Sequence, residues 1–137
     1  MPKKVQHESI LQSRCVAWFR LQYPKLLIVS FPNGAKLSGT PLRRALAWKR
    51  LEKEGAVSGA ADLIIPIGSG EFNTLMIEMK YEKCKQSSKQ KSFQEMATRL
   101  GNKYVVCNTY EMFQKTVNEY LENKLKYKVF TKILNSA

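Results

Sequence analysis

The sequence predicts an α/β domain in which about four short strands alternate with amphipathic helices. Three observations carry that expectation. Leu63–Ile67 and Lys103–Cys107 are near-continuous apolar runs, as strands covered on both faces require. Four other segments, 7–23, 41–54, 89–100 and 108–123, place apolar residues at helical spacing between recognisable starts and stops. No repeat, low-complexity run or linker interrupts them, so residues 1–137 read as one domain.

The first helix runs from His7 to Tyr23, and Pro24 stops it. Leu11, Cys15, Trp18 and Phe19 make its apolar stripe, and Glu8 stands at the head of that stripe. A carboxylate there either meets a cation or sits in a favourable first turn near the helix N-terminus. Leu26–Phe31 is a β-branched run suited to a first strand. Pro32, Asn33 and Gly34 break it and open a loop of small residues through Pro41, in which Asn33, Gly34 and Lys36 can approach a partner closely. The next helix, Pro41–Glu54, starts on its proline and stops at Gly55. Leu42, Ala45, Leu46 and Leu51 are its candidates for inward packing. Arg43, Arg44, Lys49 and Arg50 crowd the rest and are candidate phosphate contacts.

A β-hairpin follows. Asp62, the chain's sole aspartate, opens one strand, Gly68-Ser69-Gly70 turns, and the second strand carries Glu78 and Lys80. Alternation puts Glu78 and Lys80 on one face, about 7 Å apart by the usual rise. An antiparallel register brings Asp62 to the same end. After a polar link, the helix Lys89–Leu100 ends at Gly101 and carries Gln90 on the stripe of Phe93, Ala97 and Leu100. Asn108 with Glu111 has the spacing of a capping box for the last helix, to about Asn123. The basic tail, residues 124–137, alternates lysines with apolar residues, which suits an edge strand or an extended basic arm.

Composition narrows the function. Lys and Arg number 23 against 11 acids, a net +12 that an anionic partner, nucleic acid foremost, would neutralise. Three cysteines without C-x-x-C spacing argue against a disulfide framework and a cysteine zinc site, and fit a reducing, cytoplasmic setting. No apolar run is long enough for a bilayer span, so no membrane partner is expected. A Ser-His-Asp set is not expected either, His7 being the only histidine. An aspartate with a Glu-x-Lys on the next strand suits metal-dependent phosphodiester hydrolysis. Carboxylates hold Mg²⁺, and a nearby lysine orients or deprotonates the attacking water.

The ordered set Glu8, Pro32-Asn33-Gly34, Gly59-x-x-Asp62-Leu63, Ile77-Glu78-Met79-Lys80, Ser87-x-x-Gln90-x-x-Phe93 and Gly101-x-x-Tyr104 resembles the virus-type replication-repair nuclease (VRR-NUC) domain. That domain belongs to the PD-(D/E)XK nuclease superfamily, and the motif-bearing core spans about residues 5–121. The resemblance implies a restriction-endonuclease-like mixed sheet flanked by helices, and Mg²⁺-dependent cleavage of DNA, with Mn²⁺ as substitute, leaving 5′-phosphate ends. It assigns Asp62, Glu78, the Met79 carbonyl and Glu8 to metal, and Lys80, Glu78, Asp62 and Gln90 to catalysis. It implies no nucleotide cofactor, and a phage- or prophage-encoded homodimer acting on branched DNA such as Holliday junctions. The alternatives are a non-catalytic DNA-binding module, or a nuclease for flaps or linear ends. Two departures are Ala61, where the family has proline, and Phe93, where it often has tryptophan.

Overall fold

A computed structural model describes residues 3–31 and 37–136, and side chains other than those of Lys3, Val5 and residues 124–136. Chain order is α1 (Lys3–Gln22), β1 (Val29–Ser30), α2 (Pro41–Lys53), β2 (Leu63–Ile65), β3 (Leu75–Met79), α3 (Ser88–Arg99), β4 (Lys103–Cys107) and α4 (Tyr110–Ser136). The strands form one mixed sheet in the order β1-β2-β3-β4. Both pairings of β2 are antiparallel, whereas β3 and β4 are parallel and joined through α3.

One face of the sheet buries Leu63, Ile65, Leu75, Ile77, Met79 and Cys107 against residues of α1 and α4. Cys15 and Phe19 from α1 and Phe113 and Val117 from α4 are fully buried there, as the helical spacing of those residues predicts. Burial raises the Cys15 thiol to about 12, which makes it a packing residue rather than a reactive one. On the opposite face α3 contributes the buried Ala97, and its Phe93 ring meets Tyr104 of β4 at 6.3 Å between centroids.

Four expectations are corrected. The first strand shrinks from Leu26–Phe31 to the pair Val29–Ser30, because this edge leaves Leu27 and Val29 exposed with little to pack on. In α2 no residue is buried, and Leu42 and Leu46 are more than half exposed. The helix lies beside the 57–62 segment rather than on the sheet. The cap of α4 is Thr109, whose Oγ1 accepts the Met112 N–H at 3.0 Å, while the Asn108 amide donates to the Glu82 carbonyl. Finally, α4 continues to Ser136, so the tail is neither strand nor extended arm. Between Gly101 and the end no Gly or Pro stops a helix. Propagation from a packed first half then outweighs a two-residue alternation.

Candidate active site

The β2–β3 hairpin builds the site. Leu63 pairs with Ile77, and the register extended by one residue sets Asp62 across from Glu78. Asp62 is held twice: its Oδ2 accepts the Met79 N–H at 2.7 Å, and its carbonyl accepts the Phe31 N–H at 3.1 Å. Glu78 and Lys80 lie on the β3 face opposite the main core, only 2% and 6% exposed. Charged side chains are seldom buried this far unless paired.

Their pairing is incomplete. Glu78 Oε1 accepts from Gln90 Nε2 at 2.6 Å and lies 3.7 Å from Lys80 Nζ. Glu78 Oε2 is buried and, among the described residues, has no donor in hydrogen-bond geometry, although the Asp62 and Tyr104 side chains lie close to the carboxyl. Burial, and next the charge of Asp62, push the Glu78 carboxyl up to about 8, with Lys80 opposing. Burial likewise raises Asp62, against the pull of the Met79 N–H. A buried carboxylate beside a half-buried one makes a site that favours one proton or one cation. A hard-oxygen pair with one uncommitted buried oxygen fits Mg²⁺ or Mn²⁺.

Gln90 serves two purposes. In the first turn of α3 its Oε1 accepts the Ser87 N–H at 2.8 Å, and the Ser87 hydroxyl accepts the Gln90 N–H in return. That capping box fixes the side chain, and its remaining amide donor goes to Glu78. A second device sets α3 against the hairpin. Gly59, at φ +83°, sits where a Cβ would come within 2.4 Å of the Lys89 carbonyl group and 2.8 Å of the Gln90 nitrogen. Gly59→Ala is therefore expected to destabilise the fold by roughly 1–3 kcal/mol and to displace Gln90. A melting temperature equal to that of wild type would show the contact to be slack.

Glu8 stands beside the pair rather than within it. Its Oε1 accepts the Tyr81 N–H at 3.2 Å, and its charge adds to the upward pressure on Asp62. Among the described residues, no three His, Cys, Asp or Glu side chains form a metal-holding group. Residue types alone did not mark out three neighbours. Tyr104 is reached by the charge of Glu78, and its hydroxyl accepts from Gln86 at 3.2 Å. His7 stacks on Tyr81 at 4.5 Å between centroids, so it is no loose surface residue. Trp48 donates its indole N–H to Ser58 at 3.2 Å. Tyr104 carried a sequence signal in the Gly101-x-x-Tyr104 motif, while Trp48 and Tyr81 carried none.

Of the residues expected to meet DNA, Arg43, Arg44, Lys49 and Arg50 are exposed along α2. Asn33, Gly34 and Lys36 lie outside the described residues. Arg44, Ala45 and Trp48 face a cleft of about 420 Å³ whose far wall includes Asp62 and Gln90. The basic helix and the acidic pair thus border the same depression.

No protein-family model matches the chain. Nor does any curated protein. A solved structure does: a VRR_NUC domain protein, 25% identical, superposes with a TM-score of 0.69 over 85% of this chain and 88% of its own. The chain folds as a VRR-NUC domain. Its four-stranded mixed sheet and flanking helices are the restriction-endonuclease-like α/β architecture that the resemblance implied. That likeness supports a nuclease-family domain, a fold that suggests DNA as the class of substrate. Within its described residues no helix is long and apolar enough to cross a membrane.

Proposed function

We propose that this VRR-NUC domain is a Mg²⁺-dependent, structure-specific endonuclease that hydrolyses phosphodiester bonds in branched DNA, four-way junctions foremost, as a homodimer. The observation that carries the reading is the buried Glu78 beside a half-buried Asp62, with Lys80 next to it and, among the described residues, no hydrogen-bond partner on Glu78 Oε2. Asp62, Glu78 and the Met79 carbonyl would hold the ion, with Glu8 adding negative charge at the margin. When bound, Mg²⁺ supplies a water of lowered pKa and neutralises charge on the scissile phosphate.

The chain's own residues do the rest. The Met79 N–H fixes the Asp62 carboxylate, and Gln90 fixes that of Glu78, so neither needs to reorganise. Lys80 brings a positive charge to the phosphate oxygens and a donor that orients the attacking water. Arg43, Arg44, Lys49 and Arg50 track the backbone. The exposed Leu42 and Leu46 of α2 offer apolar surface to a second copy.

The test incubates the protein with labelled four-way junction, flap, linear duplex and single strand, in Mg²⁺ or EDTA. Cutting of the junction in Mg²⁺ alone, leaving 5′-phosphate ends, is the expected result. Failure to cut any substrate in Mg²⁺ or Mn²⁺ would sink the proposal. Arg43→Ala with Arg44→Ala is expected to weaken junction binding and to flatten the salt dependence by about 0.9 in log–log slope per lost phosphate contact. Equal slopes in fluorescence anisotropy titrations would place the DNA surface elsewhere.

A further inference from the structure

The cleft beside Asp62 has features that phosphodiester hydrolysis alone does not need. It is bounded by Phe31 and Trp48, by the cations Arg44 and Lys89, and by the small residues Gly59, Ala60 and Ala61. Its 420 Å³ lies at the low end of the ~300–1,000 Å³ typical of small-ligand sites. Trp48 is the odd member. It belongs to a helix with no buried residue and stands outside the main core. It is only half-buried, and its indole nitrogen is tethered to Ser58. A large aromatic held at the wall of a charged cleft is poorly explained by packing and well explained by a flat ligand.

We propose that this cleft receives a single unstacked nucleotide of the substrate strand, next to the bond that is cut. Every base has a π-face that stacks on an aromatic side chain, so the recognition is by shape and not by sequence. Arg44 and Lys89 meet the phosphate of that nucleotide. Gly59, Ala60 and Ala61 present little side chain along that wall, which leaves room for a base. A base that remains stacked and paired in duplex DNA cannot enter so small a space without leaving the helix, which costs free energy. The cleft therefore selects DNA that already offers an unpaired nucleotide, as flaps and open branch points do. The inference rests on the proposed nuclease reading for the position of the scissile bond, and deepens it by naming what the site selects.

The experiment reads binding without turnover. The chain has two tryptophans, so Trp18→Phe leaves Trp48 as the sole indole reporter. In EDTA, this protein is titrated with a flapped duplex, a matched blunt duplex and deoxyadenosine monophosphate. The flap is expected to quench Trp48 fluorescence, and the blunt duplex and free nucleotide to leave it nearly unchanged at the same concentrations. Trp48→Ala is expected to weaken flap binding roughly five- to hundredfold, and blunt-duplex binding by less than about twofold, since the latter rests on phosphate contacts. Trp48→Phe, which keeps a ring, is expected to restore most of the flap preference, and serves alone if the alanine variant does not fold. Equal quenching by both duplexes would overturn the proposal, as would flap binding by anisotropy without quenching. Quenching by the mononucleotide as strong as by the flap would overturn it in favour of a free-nucleotide site. Loss of flap selectivity with Mg²⁺-dependent cutting intact removes only this inference. Quenching by the flap without any cutting removes only the nuclease reading.

Discussion

Lys80→Ala slows Mg²⁺-supported cleavage of branched DNA by about a hundred- to ten-thousandfold, with junction affinity almost unchanged; this is the expected result of single-turnover assays. Lys80 is 6% exposed, and its ammonium lies 3.7 Å from Glu78 Oε1, at the end of the strand that carries the paired acid. So buried a cation, paired with Glu78, adds little to long-range DNA attraction, which the proposed reading assigns to the exposed arginines and lysines of α2. Its loss should therefore appear in the chemical step and not in binding. Lys80→Arg is not expected to rescue, because a planar guanidinium cannot occupy the place of a compact ammonium. The two carboxylates survive the change, so Mn²⁺ should still raise the melting temperature of Lys80→Ala. Cleavage at the wild-type rate would remove Lys80 from the reaction. Loss of the Mn²⁺ shift together with cleavage would make it a residue that holds the carboxylates and not one that serves the reaction.

The hairpin was legible because its signals are local. Alternation in β3 fixes which residues share the Glu78 face, and the antiparallel pairing of β2 with β3 across the 66–74 connection returns Asp62 to it. Gln90 was legible for a similar reason, since a helix N-terminus and a stripe position are both readable from spacing. Its double use is not, because the Ser87 capping box and the bond to Glu78 depend on how α3 crosses the sheet. The same holds for Tyr104, which the parallel pairing of β3 with β4 sets beside Met76. Parallel register is a property of the crossover, not of either strand. The largest misreading, inward packing of α2, has a plain cause. Spacing shows that a helix is amphipathic but not whether anything covers its apolar side, and Leu42 and Leu46 remain exposed. The α4 tail shows the converse: a two-residue alternation is weak beside a helix already nucleated on Phe113 and Val117.

Glu78→Gln is expected to make the metal-free protein more stable at pH 8 and to abolish both cleavage and the stabilisation by Mn²⁺. The sign follows from the carboxyl's position. Its ordinary value of 4.5 is raised to about 8 in the folded chain, first by burial and then by the charge of Asp62. A group raised on folding favours the folded state fully below its unfolded pKa, and that contribution is lost as pH climbs through the folded one. In EDTA the wild type should thus lose stability between about pH 4.5 and 8, on the order of a few kcal/mol, as the buried Glu78 is forced to carry a charge beside that of Asp62. Gln at position 78 is neutral throughout, so this fall should be largely absent and the two melting curves should cross as pH rises. Lys80 keeps the charge of Asp62 as counterpart. With Mn²⁺ at about a hundred times its dissociation constant the order at pH 8 should reverse, because the wild type gains about 2.7 kcal/mol by linkage and the variant does not. A Gln variant that melts below wild type in EDTA at pH 8 would show that the pair is satisfied without a cation, and would remove the physical ground for placing a metal there.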